Sequence, residues 1–242
     1  MRSLLGLSLL ALLTACSDND STALPVGLPI RVTPADIGEE WIENDTRDGG
    51  LVMIDEDTTP PLFGSGCLAM STTDTAGGSS QAKGQLFFYG YGSLDQPGAG
   101  VLLSEITSLG YWAYRDSSST NPIAQTISLN IEVDFVGDGS SYTTLVFEPV
   151  YNTQPMLQDT WQYWDAFQDG AAIWWSTRDI PGATGGAFVS LQTILDNNPN
   201  ARIRYGVGFN VGSGWTGDFF GFADGLEVGV NGERDVYDFE PR

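Results

Sequence analysis

The sequence predicts an all-β protein, a sandwich or barrel, on three observations. From about residue 48 onward, short runs of β-branched and aromatic residues recur between Gly, Pro, Asn and Asp, the pattern of many short strands joined by turns. Ile127, Leu129, Ile131, Val133 and Phe135 alternate with Ser128, Asn130, Glu132 and Asp134. That period of two belongs to a strand with one face in a core and the other toward water or a ligand. Only one stretch carries a convincing helical period.

In chain order, strands are expected near 50–55, 66–72, 83–91, 108–115, 125–136, 141–150, 159–168, 171–176, 201–210, 219–230 and 234–240. The alternating run passes through Gly137-Asp138-Gly139 into residues 141–150, and the two glycines supply the positive-φ positions of a tight hairpin turn. Alternation sets Trp161 and Tyr163 on one face and Gln162 and Trp164 on the other. Trp174 and Trp175 must face opposite ways, so one of the pair points inward. The helix spans residues 190–196, with Leu191, Ile194 and Leu195 on one face, and Asn197-Asn198-Pro199 ends it. It is short enough to close one end of a sandwich. No change of composition divides residues 48–242, so they form one domain. Glu148 and Glu240, each followed by proline, are read as strand ends, where proline blocks further pairing.

Composition excludes more than it selects. The chain has 242 residues, 31 acidic against 10 basic, a formal net charge of −21 and no histidine. Without histidine there are no Ser-His-Asp or Cys-His nucleophile systems, no histidine metal sites and no imidazole acid–base chemistry. So acidic a chain, with Lys83 its only lysine, lacks the clustered cations that nucleic acid or an anionic membrane surface requires. An anionic polysaccharide would be repelled unless calcium bridged it, which favours neutral glycans as ligands.

Residues 1–16 place one positive charge, Arg2, before an apolar run from Leu4 to Leu13 that is too short to span a bilayer. The run ends in Leu13-Thr14-Ala15-Cys16, which resembles the lipobox of bacterial lipoproteins. The resemblance implies that residues 1–15 are a signal peptide and that Cys16 is lipidated, tying the protein to a membrane. Ser17, rather than aspartate, after the cysteine favours the outer membrane or cell surface of the bacterial envelope. Residues 16–47, polar and proline-punctuated over 17–33, are expected to form a flexible lipid-anchored tether, and 48–242 the domain. Cys67 is then unpaired and, with no histidine to activate it, is read as a buried small hydrophobe.

Six stretches together resemble a group of secreted bacterial β-sandwich proteins of no established activity. They are PPLFGSGCLAM (60–70), ITSLGYWAYR (106–115), YTTLVFEPVYN (142–152), TWQYWDAF with AAIWWST (160–177), NPNARIRYGVGFNVGSGWTG (198–217) and ADGLEVGV with VYDFEP (223–241). The resemblance implies a single jelly-roll-like or galactose-binding-like β-sandwich, similar in architecture to many carbohydrate-binding modules. Such modules often hold a structural calcium where an early strand meets the last ones. By that likeness Asp224, with Asp55, Glu56 and Asp57 from the early segment, are candidate ligands. Solvated carboxylates on an acidic surface account for the same residues. No other cofactor is implied.

The aromatic residues carry the functional reading: among 7 Trp, 9 Tyr and 12 Phe, a sandwich core accounts for about half of the crowded ones and accounts less well for adjacent pairs in neighbouring strands. Exposed indoles stack against the C–H faces of sugar rings, with Asn, Gln and Asp supplying directional hydrogen bonds. Trp161, Trp164, Trp175 and Trp215 are the expected ligand contacts, and the lead reading is a non-catalytic, lipid-anchored module for neutral glycans. A structural or adhesive surface protein without a small ligand is the alternative. A second alternative is a carboxylate-dependent glycoside hydrolase. Residues 131–138, IEVDFVGD, resemble the Glu-x-Asp-x-x-Glu strand of jelly-roll hydrolases, with Glu132 and Asp134 on one face. Gly137 stands where the third acid belongs, which removes one of the two essential carboxyls and weighs against catalysis.

Overall fold

The computed structural model describes residues 28–56, 64–73, 81–93, 96 and 98–242. Fourteen strands run in the order β1 (Ile30–Val32), β2 (Trp41–Ile42), β3 (Gly50–Asp55), β4 (Cys67–Thr72), β5 (Lys83–Phe88), β6 (Ile106–Arg115), β7 (Ser128–Asp134), β8 (Thr143–Phe147), β9 (Gln162–Asp165), β10 (Ile173–Ser176), β11 (Val189–Ser190), β12 (Arg202–Gly212), β13 (Phe219–Val230) and β14 (Glu233–Phe239), with one α-helix, α1 (Leu191–Asn197). They form two seven-stranded sheets. In the first, the long β13 pairs on one side with β4 and then β14, and on the other with β6, which carries β9. The second has the order β11-β10-β8-β7-β12-β5-β2. The central rows β4-β13-β6-β9 and β5-β12-β7-β8 are filled by a chain that crosses repeatedly from sheet to sheet, the wrapping of a jelly roll.

Alternation decides what lies between the sheets. Leu129, Ile131 and Val133 of β7, Phe147 of β8 and Phe209 of β12 meet Tyr111 of β6 and Phe239 of β14, all buried. Tyr111 lies 5.5 Å from Phe209 and 6.3 Å from Phe147 between ring centroids, and its hydroxyl donates to the Ile127 carbonyl at 2.7 Å, so the phenol oxygen brought into this core is satisfied. Trp164 and Trp174 point inward; Trp161, Tyr163 and Trp175 point outward. At the start of α1 the Ser190 side chain accepts from the Thr193 N–H, and Leu191 and Ile194 are buried. Cys67 is buried, and burial first, then the nearby Asp224, Asp55 and Glu240 charges, push its thiol up to about 12, so it is held as an inert thiol.

Residues 28–47, assigned by composition to the tether, are built into the sandwich. β1 pairs in parallel with β14, and Trp41 is buried against Phe88, Tyr237 and Phe239 at 5.3, 5.3 and 4.9 Å. Polar, proline-bearing sequence hides this because partners some 200 residues away supply the pairing and the apolar surface.

The junction of β1 and β14 makes a testable electrostatic site. Glu240 accepts from the Ser65 N–H at 2.7 Å, the Ser65 hydroxyl at 2.9 Å and the Gly66 N–H at 3.2 Å. Half-buried Asp238, in contrast, is raised to about 6 from 3.8 by burial and by Glu240, against the smaller opposing pull of Arg31. A carboxyl raised in the folded state stabilises the fold most below its unfolded value, and that contribution is lost as pH rises through about 6. Asp238→Asn is therefore expected to raise stability at pH 7 by about 1 kcal/mol, discounted for solvent screening, and to leave it nearly unchanged at pH 4. Urea unfolding at both pH values checks this; equal effects at the two would remove titration as the cause.

Candidate functional site

All seven residues of β7 are buried, on both of its faces. The outward side chains Ser128, Asn130 and Glu132 are thus the floor of a depression on the second sheet, a groove of about 330 Å³. Register sets the floor out in rows. Gln85, Asn210 and Ser128 stand side by side across β5, β12 and β7. Asn130, Val146 and Trp175 do so across β7, β8 and β10, and Glu132 faces Thr144. The walls come from elsewhere: Asn44 and Asp45 from the segment joining β2 to β3, and Trp215 from the loop joining β12 to β13. Trp175 and Trp215 are both half-buried.

The groove contains carboxyl groups in opposed environments. Glu132 is 5% exposed. Its Oε1 accepts from the Tyr142 hydroxyl at 2.9 Å, while Oε2 has no hydrogen-bond partner among the described residues. Burial outweighs the tyrosine bond and raises its pKa. Glu148 is also raised by burial, partly offset by the Trp175 indole N–H that donates to it at 2.9 Å. Asp45 goes the other way, down to about 2, because the Arg47 guanidinium grips both its oxygens at 2.8 and 2.7 Å and Lys83 adds a third bond at 2.8 Å. Asn210 Nδ2 donates to the Gly212 carbonyl at 2.6 Å, but Asn210 Oδ1 is buried without a partner. Each such orphan costs about 1–3 kcal/mol in a dry site. Asn210 Oδ1 takes a donor, while Glu132 Oε2 takes a donor when ionised and gives a proton when neutral, so a hydroxyl, which does both, relieves each.

The structure brings Trp175, Trp215 and Glu132 into one groove and sends the other expected residues elsewhere. Trp164 lies in the core. Trp161 sits on the outer face of the first sheet, 5.8 Å from Tyr114. Asp134, although on the same face of β7 as Glu132, takes hydrogen bonds from the Gly139 N–H and the Ser141 hydroxyl and so clamps the hairpin turn. Asp224 is fully buried, and its Oδ1 accepts from the Gly225 and Phe239 N–H groups. Asp55 pairs with Cys67 across β3 and β4. Asp57 and Cys16 lie outside the described residues. Among the described residues no three His, Cys, Asp or Glu side chains are grouped so as to hold a metal ion.

Sequence reasoning did not single out Gln85, Asn210, Tyr142, Glu148 or Asp45 as groove residues. For Glu148 a signal existed: continuing the alternation Thr144, Val146, Glu148 along β8 puts it on the face that Glu132 occupies across the hairpin. For Asp45 none did, since its position depends on how a loop crosses between sheets.

No protein-family model matches the chain, and no curated protein matches it. Among solved structures it is similar to the enzymatically active domain of tailspike protein 4 from bacteriophage CBA120. The identity is 14% and the TM-score 0.34, over 78% of this chain and 19% of that one. This chain thus spans about a fifth of the tailspike chain, and a likeness that distant carries no argument about function.

Proposed function

We propose that the protein binds a neutral glycan along the groove of the second sheet, as an exported module anchored through lipid at Cys16. The observation that carries this reading is the floor itself: buried polar side chains with two unpartnered oxygens, Glu132 Oε2 and Asn210 Oδ1, between two half-buried indoles. A sugar offers what those groups lack. Its hydroxyls both donate and accept, so they can pair either oxygen, and its C–H faces cover indole. The groove also disfavours anions: Asp45, Glu132 and Glu148 line it against Lys83 alone, and Lys83 is engaged by Asp45.

The test is binding of the purified protein to soluble xylan, mixed-linkage glucan, galactomannan and starch, with alginate and pectate as anionic controls. Saturable binding to at least one neutral polymer, and none to the anionic ones, is the expected result. Silence across the panel from a folded protein would sink the reading and leave a structural or adhesive surface protein.

A further inference from the structure

We propose that the groove also hydrolyses the glycan it binds, with Glu132 giving a proton to the glycosidic oxygen and Asp45 taking one from the attacking water. This rests on the glycan reading above. It departs from the purely binding role that the sequence favoured, because the objection there was a missing second acid along β7, and the fold supplies one from another segment.

Asp134 cannot be that acid, since both its oxygens serve the hairpin turn. Glu148 is poorly placed. It stands four residues along β8 from Thr144, the residue facing Glu132, which separates the two Cα atoms by roughly 14 Å at ordinary strand rise and spacing. Glu148 is in addition committed to the Trp175 indole, whereas the Asp45 charge is near enough to act on Glu132.

Asp45 reaches the groove from the opposite wall. The segment carrying it is laced to β5: the Thr46 hydroxyl accepts from the Gln85 N–H at 3.1 Å, and the Arg47 N–H donates to the Lys83 carbonyl at 2.8 Å. On its other flank Asn44 donates to the Tyr89 hydroxyl at 3.3 Å. The Asp45 backbone is held at φ 62°, the left-handed region, which costs a non-glycine residue on the order of 1 kcal/mol and persists where surroundings over-determine it. Its side chain remains 43% exposed, so water reaches it. Oδ1 receives a single hydrogen bond, from Arg47, and keeps a lone pair for a water proton.

The two groups then hold the opposite protonation states that the reaction needs. Glu132 is buried, with one oxygen fixed by Tyr142 and the other unpartnered, an arrangement that favours a carboxylic acid able to donate from Oε2. Asp45, between two cations, stays ionised. In the step, the water oxygen bonds to the anomeric carbon as the bond from that carbon to the leaving oxygen breaks. Glu132 protonates the leaving oxygen, and Asp45 receives the proton lost by water. One water is consumed, one reducing end and one hydroxyl appear, and the proton returns from Asp45 to Glu132 through solvent. Because water displaces the leaving oxygen in one step, with no bond from the protein to the sugar, the anomeric configuration inverts.

The experiment incubates the wild type, Glu132→Gln and Asp45→Asn with the neutral polymers named above, measuring binding, reducing ends, product anomer by proton NMR and thermal midpoint. The wild type is expected to release reducing ends of inverted configuration. Each variant is expected to fold, to bind saturably though more weakly than the wild type, and to lose about 100-fold or more in hydrolysis at saturating polymer. Binding by the wild type without reducing ends overturns hydrolysis and leaves the glycan reading standing. Retained configuration, or undiminished hydrolysis in either variant, overturns the assignment to these residues. Absence of any binding overturns both. The wild-type arms decide the matter even where a variant does not fold.

Discussion

Replacing Trp175 with alanine is expected to weaken glycan binding by about 2 kcal/mol, about thirtyfold in Kd, the loss typical of a buried aromatic anchor. The indole is half-buried on the groove face of β10, level with Asn130 and Val146, and its N–H holds Glu148. Truncation therefore removes a stacking surface and frees a partly buried carboxyl at once. Trp175→Phe separates the two effects, since it keeps a ring and loses the hydrogen bond. Titration calorimetry with the best polymer of the panel measures both variants. Wild-type affinity in the alanine variant would move the binding site away from this groove.

Trp174→Ala, one residue earlier, should do the reverse. Trp174 is fully buried, packs 5.6 Å from Phe147, and donates its indole N–H to the Ala166 carbonyl at 2.9 Å. Truncation leaves a large cavity and an unpaired carbonyl, for a loss of about 4 kcal/mol. Against a total stability of about 5–15 kcal/mol for an ordinary domain, that is a large part of the whole. Chemical unfolding with a matched m-value checks it, and binding per folded molecule should be unchanged. A loss below about 1 kcal/mol would show that the site collapses to fill the space.

This contrast between neighbours was legible before any coordinates, because strand side chains alternate whatever the fold. The same rule separated Trp164 from Trp161 and Tyr163 and put Glu132 on an outward face. Local chemistry also set the hairpin at Gly137-Asp138-Gly139, whose glycines have φ 85° and 86°. Alternation identifies a face but not what becomes of it. Asp134 and Glu132 share one face of β7, yet Asp134 is at the strand end, within reach of the turn it clamps, while Glu132 is further in, over the groove floor.

The sequence by itself determined the all-β class, the eleven longer strands, the short helix and which neighbouring aromatics lie on opposite faces of their strands. These depend on periodicity and turn chemistry within about ten residues. It did not determine which face is inward: Trp164, expected at the ligand, is in the core. Only the tertiary structure decided that residues 28–47 belong to the sandwich, that Glu148 shares a groove with Glu132 and that Asp45 faces it. Those depend on β1 meeting β14, on β7 lying between β8 and β12, and on the loop after β2 crossing the edge of β5. Such pairings join residues far apart in the chain, and their free energy comes from surfaces that no local window contains.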